Sequence, residues 1–330
     1  MDIKERIKFY LRKNKYYKKY LQTHVNDMRY FVRSCKYYFK YYSLKKDKEI
    51  TGNTLFFIID PHINHPGLSD RYKAIIGCYY IAKQNGFDFK IIFDTPFKLS
   101  DYLDVNNCDW RAEFKDLSYS LKNSRVIPYN GGGKLPRLSK KIKQYHVYSY
   151  IGYNILATNK IPDYNRVWGE LYNSLFRPGE IVKSQIEETG FKEASYIAVH
   201  LRFVNALEHF EDNHYNYLSD EHKEKLIQRC IDGIKGILNK YQDLPVVVFS
   251  DSNIFLNRVQ EALPVHVLKG EVGHISFNNA QKVILKTFLD FYMISNAKEV
   301  YIIKAAEMYG TVFSYYAAVA GYKEAIILEV

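Results

Sequence analysis

Side chains suited to binding an anionic nucleotide follow two predicted strands and precede one predicted helix. His200-Leu201-Arg202 closes the first strand in the second half of the chain, and Ser250-Asp251-Ser252 closes the next. Tyr309-Gly310-Thr311 opens the helix near the C-terminus. An arginine offers a planar fork of donors to a phosphate, and a helix N-terminus offers free backbone N–H groups. Together these residues predict a site for a nucleotide diphosphate.

Each motif also has a structural explanation, which the sequence leaves open. An arginine at a strand end often forms a surface ion pair, and His200 alone is typical of a hydrogen-bonded core histidine. Ser250-Asp251-Ser252 is also typical of a helix cap. The sequence contains no GxGxxG loop, P-loop, HExxH or GxSxG motif that would favour other chemistries.

The elements that must position these residues alternate between strands and helices from residue 50 onwards. Short apolar runs predict strands at 55–60, 87–94, 196–203, 246–250, 265–268, 300–303 and 325–329. Helical spacing predicts helices at 69–86, 167–186 with a break at Pro178-Gly179, 219–238, 255–262, 280–296 and 312–320. Ser69 and Ser219 are the predicted N-caps, and Gly86 is a predicted C-cap. Residues 95–135 are predicted to be irregular.

Buried strands that alternate with amphipathic helices are typical of parallel sheets covered on both faces. Two blocks of this pattern, 50–165 and 190–330, predict an α/β protein with two facing Rossmann-like domains. We place the domains at 51–185 and 186–330, preceded by a basic helical extension over residues 1–50.

Nearly all of the net charge lies in that extension. The chain carries 47 Lys or Arg against 36 Asp or Glu, and residues 1–50 hold 15 of the bases with only five acids. Aromatic residues recur at helical spacing among these lysines, as at Tyr30, Phe31 and Tyr38. We therefore predict helices that lie on an anionic membrane surface. A nucleic-acid-binding arm is less favoured, because aromatic residues exceed what phosphate neutralisation needs, and a helical hairpin packed on the body remains an alternative.

Composition excludes several further classes. Apolar residues make up 47% and charged residues 25%, as in a folded globular protein. The four cysteines, which are scattered without metal-ligand spacing, are predicted to be reduced thiols. No apolar run resembles a signal peptide or reaches the roughly 18 residues of a membrane span, so we expect a cytoplasmic protein.

Several stretches resemble motifs of bacterial fucosyltransferase-like proteins, a superfamily with α-1,2-fucosyltransferases, the nodulation fucosyltransferase and protein O-fucosyltransferases. GLSDR at 67–71, within residues 65–110, resembles their amino-terminal turn. VHLRF at 199–203 resembles their HxR motif, and FSDS at 249–252 resembles the second motif. Residues 288–318 resemble the final motif, in which an Asp precedes a helix, a strand and a hydroxyl-bearing turn. The resemblance covers about residues 55–330.

This resemblance implies the GT-B fold, inversion at the anomeric carbon and no metal cofactor, and the sequence has no DxD pair. It implies that Arg202 contacts the donor β-phosphate and that Asp290 lies at the guanine or beside it. The donor-binding set is predicted to be His200, Arg202, Ser250, Asp251, Asp290, Tyr309, Gly310, Thr311, Phe313 and Ser314. Gly67, Arg71, His209 and His274 are predicted to lie on the acceptor side or in the cleft.

The HxR motif departs from the family pattern, which usually continues as HxRRGD, whereas this chain reads HLRFVNALEHF. The acidic role passes to Glu208 or to no side chain. The candidate catalytic residues are therefore Arg202 for the leaving diphosphate and Glu208, His209 or Asp70 as a general base.

The resulting hypothesis is an inverting transfer of fucose from GDP-fucose to a hydroxyl of a glycan acceptor, such as a surface polysaccharide or a lipid-linked oligosaccharide. The first domain is expected to face the acceptor and the second to bind the GDP-sugar. The expected location is the inner membrane face, with no nucleic-acid partner. Two alternatives remain: the same fold with another nucleotide sugar, or a non-catalytic nucleotide-sugar-binding protein at the membrane.

Overall fold

The structure is a computed structural model. It describes residues 49–59, 67–128, 137–149, 155–158, 160–208, 218–268, 270 and 280–330, with 28, 31–32, 35–36 and 38–45 nearer the N-terminus. The strands are β1 (Thr54–Ile59), β2 (Asp88–Ile92), β3 (Leu103–Val105), β4 (Ser124–Pro128), β5 (Gln144–Ser149), β6 (Phe176–Pro178), β7 (Ile197–Leu201), β8 (Val246–Ser250), β9 (His266–Val267), β10 (Glu299–Lys304) and β11 (Ala325–Glu329). The helices are α1 (Leu68–Asn85), α2 (Ile155–Thr158), α3 (Tyr164–Leu175), α4 (Glu180–Glu188), α5 (Asp220–Lys240), α6 (Asn253–Ala262), α7 (Gln281–Asn296) and α8 (Phe313–Ala320).

Two parallel sheets organise the chain. The first has the strand order β2-β1-β5-β4 and the second β11-β10-β7-β8-β9. β7 and β8 are buried along their whole length, as expected of apolar strands covered on both faces. β3 and β6 form a separate antiparallel pair. The predicted α/β class with parallel sheets is confirmed.

One apolar core joins the helices between the two sheets. It includes Phe57 of β1, Trp168 of α3, Val247 of β8, Phe288 of α7 and Ala317 of α8. Rings from α1, α3 and α7 meet directly, with the centroid of Tyr72 5.2 Å from that of Tyr172 and 5.3 Å from that of Phe291. The predicted domain boundary at residue 185 falls within α4, and it stays a prediction.

The sequence prediction was wrong at the start of α1. The N-cap is Gly67 rather than Ser69, and no side chain caps the helix. The backbone carbonyl of Gly67 accepts the N–H of Arg71 at 3.2 Å, so Ser69 lies inside the first turn. The other end agrees with the sequence, because Gly86 adopts the left-handed conformation (φ 63°) that glycine reaches at little cost.

Residues 38–45 are packed on the first sheet. Tyr42 is buried beside Phe56 and Tyr148, and its hydroxyl donates to Nδ1 of His146. The backbone of Ser43 lies between Tyr119 and Leu121, with N–H···O distances of 3.0 and 2.9 Å. This part of the predicted extension therefore belongs to the body, while residues 1–27 lie outside the described residues.

Candidate active site

The first turn of α8 meets the carboxyl end of β7. Ser314 is buried, and its Oγ lies 3.1 Å from Nδ1 of His200. The ring of Phe313 lies 5.9 Å from the ring of His200. Burial, and then the positive charges of Arg202 and Lys286, lower the pKa of His200 to about 3. The imidazole is therefore neutral at pH 7, and it forms a hydrogen bond with a neutral hydroxyl rather than an ion pair.

Arg202 follows β7 by one residue and lies beside the loop that leads into α8. Its guanidinium carbon is 5.4 Å from the centre of the Tyr309 ring. The backbone N–H of Tyr309 also donates to the carbonyl of Arg202 at 3.3 Å. The predicted donor-binding segments around Arg202 and around residues 309–314 are thus in contact.

The N-terminal end of α8 is open towards solvent. Val312 is its N-cap and makes no side-chain cap hydrogen bond. The Thr311 hydroxyl accepts the N–H of Phe313 at 3.2 Å, and Tyr309 and Gly310 are exposed. No protein atom lies within 4 Å of the position that a Cβ on Gly310 would take, in the part of the chain described. This leaves room for a ligand against the helix N-terminus.

Asp251 holds the loop that carries Arg202. Its Oδ1 accepts the N–H of Phe203 at 2.7 Å, and its Oδ2 accepts the N–H of Val204 at 3.0 Å. Val204 has a φ of 54°, a strained conformation for a β-branched residue. Two charge-assisted hydrogen bonds to Asp251 stabilise this turn. Asp251 therefore has a positioning role beside its predicted role in donor binding.

The hydroxyls of Ser250 and Ser252 accept hydrogen bonds from nearby backbone N–H groups. The Ser250 hydroxyl accepts the N–H of Ser252 at 3.2 Å. The Ser252 hydroxyl caps α6 by accepting the N–H of Phe255 at 3.2 Å. The helix-cap interpretation of this motif is confirmed for Ser252.

Lys286 was not predicted, and it forms a buried ion pair with Asp290. Its Nζ lies 2.5 and 2.6 Å from the two carboxylate oxygens, and the two side chains are only 7% and 15% exposed. Burial raises the pKa of Asp290, and the charge of Lys286 opposes that rise. The four-residue spacing within the helix was the signal that could have identified the pair.

The first turn of α1 lies across from α8. Asp70 forms an ion pair with Lys73, whose Nζ is 5.8 Å from the centre of the Tyr316 ring on α8. Arg71 is buried, with its guanidinium 5.3 Å from the ring of Phe93, and burial lowers the pKa of Arg71 to about 9.

A chain of ring contacts links this turn to the donor-side residues. The centroid of Phe291 lies 5.3 Å from that of Tyr72 and 5.7 Å from that of Phe313, which in turn packs against His200. The structure therefore brings His200, Arg202 and residues 309–314 into direct contact, whereas residues 67–71 are linked to them only through the rings of Tyr72 and Phe291.

Of the remaining candidates, Glu208 is placed differently. Glu208 accepts the N–H of Ile254 in the first turn of α6 at 3.3 Å, so its carboxylate is engaged with a helix N-terminus. His209 and His274 lie outside the described residues. Within the described ranges, no group of three His, Cys, Asp or Glu side chains is arranged to hold a metal ion. No helix in those ranges is long and apolar enough to cross a membrane.

Comparison with solved structures defines the class of fold. No protein-family model and no curated protein sequence matches the chain. A mutant of Arabidopsis thaliana FUT1 in complex with GDP superposes with a TM-score of 0.53 at 13% identity, covering 91% of this chain and 74% of that one. NodZ α-1,6-fucosyltransferase soaked with GDP-fucose gives 0.51 at 12% identity, covering 84% and 95%. The chain has the fold of these fucosyltransferases, and the predicted GT-B-like architecture is confirmed.

Proposed function

We propose that this protein transfers fucose from GDP-fucose to a hydroxyl of a glycan acceptor. Two fucosyltransferases share its fold, one solved with GDP and the other soaked with GDP-fucose. The observation that carries the proposal is the arrangement of Arg202 and the open N-terminus of α8 around the buried His200–Ser314 pair. This arrangement suits a diphosphate, which needs positive charge and several donors.

In the proposed complex the diphosphate lies on the first turn of α8. The backbone N–H groups there have no helical partners and carry the positive end of the helix dipole. Arg202 supplies a fork of donors from β7, and the Thr311 hydroxyl lies beside the same turn. Ser314 keeps the neutral His200 against this turn, which fixes the separation between the helix end and the arginine.

Asp290 is proposed to bind the guanine edge together with its partner Lys286. A carboxylate offers about four lone-pair sites, and Lys286 takes one on each oxygen. One site on each oxygen is left for the two parallel N–H groups of guanine. Lys286 keeps the carboxylate ionised as the site loses water, which compensates the rise in pKa that burial causes.

The reaction is proposed to invert the anomeric centre. The acceptor oxygen forms a bond to the anomeric carbon while the bond to the β-phosphate oxygen of GDP breaks, and negative charge develops on that phosphate. Arg202 and the N–H groups of α8 stabilise this charge without a metal ion. Asp70 is favoured over Glu208 as the base that takes the acceptor proton. Each carboxylate has a partner, Lys73 for Asp70 and the first turn of α6 for Glu208, and Asp70 is preferred because it lies on the turn facing α8.

Binding at an anionic membrane surface is proposed for the N-terminal segment. Met28, Phe31, Val32 and Phe39 recur at helical spacing, and each is between 49% and 89% exposed. The segment is rich in lysine and arginine, as expected for an interfacial helix on anionic lipid. This surface would hold the enzyme near a lipid-linked acceptor.

The direct test is GDP release from GDP-fucose in the presence and absence of an oligosaccharide panel, with product analysis for the anomeric configuration. We expect acceptor-dependent release that EDTA does not abolish. Binding of GDP-fucose without transfer to any acceptor would instead support a non-catalytic protein. Equal stabilisation of the fold by GDP, UDP and ADP would rule out the guanine assignment.

A further inference from the structure

A cavity of about 650 Å³ lies beyond the carboxyl end of β2. Phe93, Asp94 and Lys98 line one side, and residues 110–116 line the other. Ligands of open α/β sheets bind at this end of the strands, and the volume is within the usual range for small-ligand pockets. Neither the donor site nor the proposed reaction uses these residues.

The charges of the lining residues cancel. The residues that line the cavity include three acidic and three basic ones: Asp94, Glu113, Asp116, Lys98, Arg111 and Lys115. A site for a nucleotide or a sulfated chain needs an excess of positive charge. The balanced lining therefore favours a neutral ligand with many hydrogen-bonding groups.

Several of these polar groups are available to such a ligand. The side chains of Asp94, Lys98 and Ser100 take part in no hydrogen bond or ion pair within the described parts of the chain. A sugar hydroxyl both donates and accepts, so it can pair with carboxylate, ammonium and hydroxyl groups together.

The cavity also offers apolar surface. Phe114 is 42% exposed at its edge, while Phe93 and Ile91 are buried in its wall. The C–H face of a pyranose ring can bury against an exposed aromatic ring, which removes apolar surface of both from water. Aromatic and hydroxyl-binding groups in one cavity are the combination that a saccharide requires.

The inner wall is continuous with the proposed active site. The guanidinium carbon of Arg71 lies 5.3 Å from the centre of the Phe93 ring, and Arg71 belongs to the turn that includes Asp70. Phe97 packs against both Phe93 and Phe288 of α7, with centroids 4.9 and 5.7 Å apart. One aromatic ring therefore separates the cavity from the turn on which the base is proposed to lie.

We propose that this cavity binds a neutral oligosaccharide and holds the units of the acceptor that do not react. The role as an acceptor site rests on the proposed transfer of fucose, whereas saccharide binding itself does not. The residues that carry it are Asp94, Lys98 and Phe114.

The test uses the full-length protein and saturation-transfer NMR with a panel of gluco-, galacto-, manno-, xylo- and chito-oligosaccharides of two to four units. Sulfated heparin oligosaccharides form the charged comparison. We expect at least one neutral compound to bind and to lose most of its signal in Asp94→Asn and Phe114→Ala. Both side chains are exposed or at the cavity edge, so the variants should melt like the wild type. Asp243→Asn, at an exposed turn of the second half, is the matched control and should bind normally.

Parallel titration with GDP separates this proposal from the proposed function. Arg202→Ala should lose GDP affinity and keep saccharide binding, while Asp94→Asn should do the opposite. Absence of any neutral saccharide signal in a protein that binds GDP would overturn the cavity assignment and leave the donor site standing. Preferential binding of the sulfated compounds would also overturn it. Saccharide binding without GDP binding would uphold the cavity and remove the transferase.

Discussion

Ser314 Oγ lies 3.1 Å from Nδ1 of His200, and this buried contact joins the first turn of α8 to β7, the central strand of the second sheet. The two residues are 114 positions apart, so the contact exists only in the folded chain. Because Ser314 is in the first turn of α8, the bond fixes that turn relative to β7 and to the adjacent Arg202. The geometry of the proposed diphosphate site therefore depends on a neutral hydrogen bond beneath it.

Ser314→Ala should weaken GDP binding as well as stability. The change leaves a buried imidazole nitrogen without its hydroxyl partner, which costs about 1–3 kcal/mol. We expect a GDP dissociation constant raised roughly tenfold, which corresponds to about 1.4 kcal/mol. Calorimetric titration and urea unfolding measure the two effects. Ser295→Ala, another buried serine that bonds within α7, is the control and should affect stability only. Normal GDP affinity in Ser314→Ala would show that the bond does not position the site.

Arg202→Lys should lose most of the transferase activity, because a point charge cannot replace two parallel N–H donors to a phosphate. Arg202→Ala should lose about 10²- to 10³-fold in kcat, as for single donors to a developing charge. Steady-state release of GDP from GDP-fucose is the measurement. Arg258→Ala, which removes a surface pair with Glu224, is the matched control and should retain wild-type rates. A near-normal kcat in Arg202→Ala would contradict the donor-site geometry.

Acid should destabilise the protein through two buried histidines. Burial lowers the pKa of His146 to about 3, and burial with nearby positive charge does the same for His200. The unfolded chain therefore binds more protons between pH 6.5 and 3, so their contribution is complete above pH 6.5 and is lost as pH falls towards 3. Each histidine contributes a slope of up to about 1.4 kcal/mol per pH unit in that window.

Urea unfolding of the wild type and His146→Gln at pH 4.5, 5.5, 6.5 and 7.5 checks this expectation. The advantage of the wild type should shrink as pH falls below 6.5, because glutamine does not titrate. Burial also raises the pKa values of Asp251 and Asp290, and this makes the folded protein less stable as pH rises above the usual carboxyl pKa. Both proteins share that effect, so only the difference in unfolding free energy between the wild type and His146→Gln is diagnostic. A difference that stays constant with pH would show that His146 titrates normally.

The sequence predicted the second sheet better than the first, for a physical reason. β8 and β11 were predicted residue for residue, since each is a mainly apolar run that follows a polar turn. β4 and β5 were missed, and the prediction that residues 95–135 are irregular was wrong, because β3 and β4 lie within them. β5 carries Gln144 and His146 into a buried sheet, where Gln144 Oε1 accepts from the Ser118 N–H at 2.7 Å and lies 2.9 Å from Nε2 of His146. Polar residues in a strand are tolerated by such distant partners, which a local pattern does not contain.

The candidate site was predictable in part, where its residues lie next to strand ends or a helix start. His200, Arg202 and residues 309–314 follow strands or open a helix, and parallel topology brings such positions to one edge. Lys286 was missed because its role depends on Asp290 being buried with it. The involvement of Asp251 with the loop after β7 also depends on tertiary contact, since its partners Phe203 and Val204 are nearly fifty residues away.

Guanine preference should depend on Asp290. Asp290→Asn alone leaves Lys286 as an unpaired buried charge, a change that costs about 3–5 kcal/mol in other proteins. The double variant Lys286→Met/Asp290→Asn removes that charge and is expected to fold. Thermal shifts with GDP, UDP and ADP should show a strong preference for GDP in the wild type and nearly equal shifts in the double variant. A retained preference for GDP would place the guanine elsewhere.

Deletion of residues 1–27 and deletion of residues 1–50 should have different consequences, which separates membrane binding from folding. From the sequence alone, a chain that starts near Thr51 is expected to stay folded. The structure shortens the removable part, because Tyr42 is buried on the first sheet and its hydroxyl donates to His146. Loss of a buried aromatic side chain costs about 3–5 kcal/mol, so the longer deletion should melt well below the full chain.

The shorter deletion removes eight of the 15 basic residues and leaves Tyr42 in place, so it should keep the full melting temperature and GDP affinity. It should also sediment less with anionic vesicles, since each Lys or Arg near such a surface contributes about 1 kcal/mol.

Phe31→Ser/Phe39→Ser in the full chain keeps every charge and should also reduce sedimentation, while neutral vesicles serve as the control. Equal melting of both deletions would show that Tyr42 adds little to the fold, and unchanged sedimentation of the serine variant would assign membrane binding to charge alone.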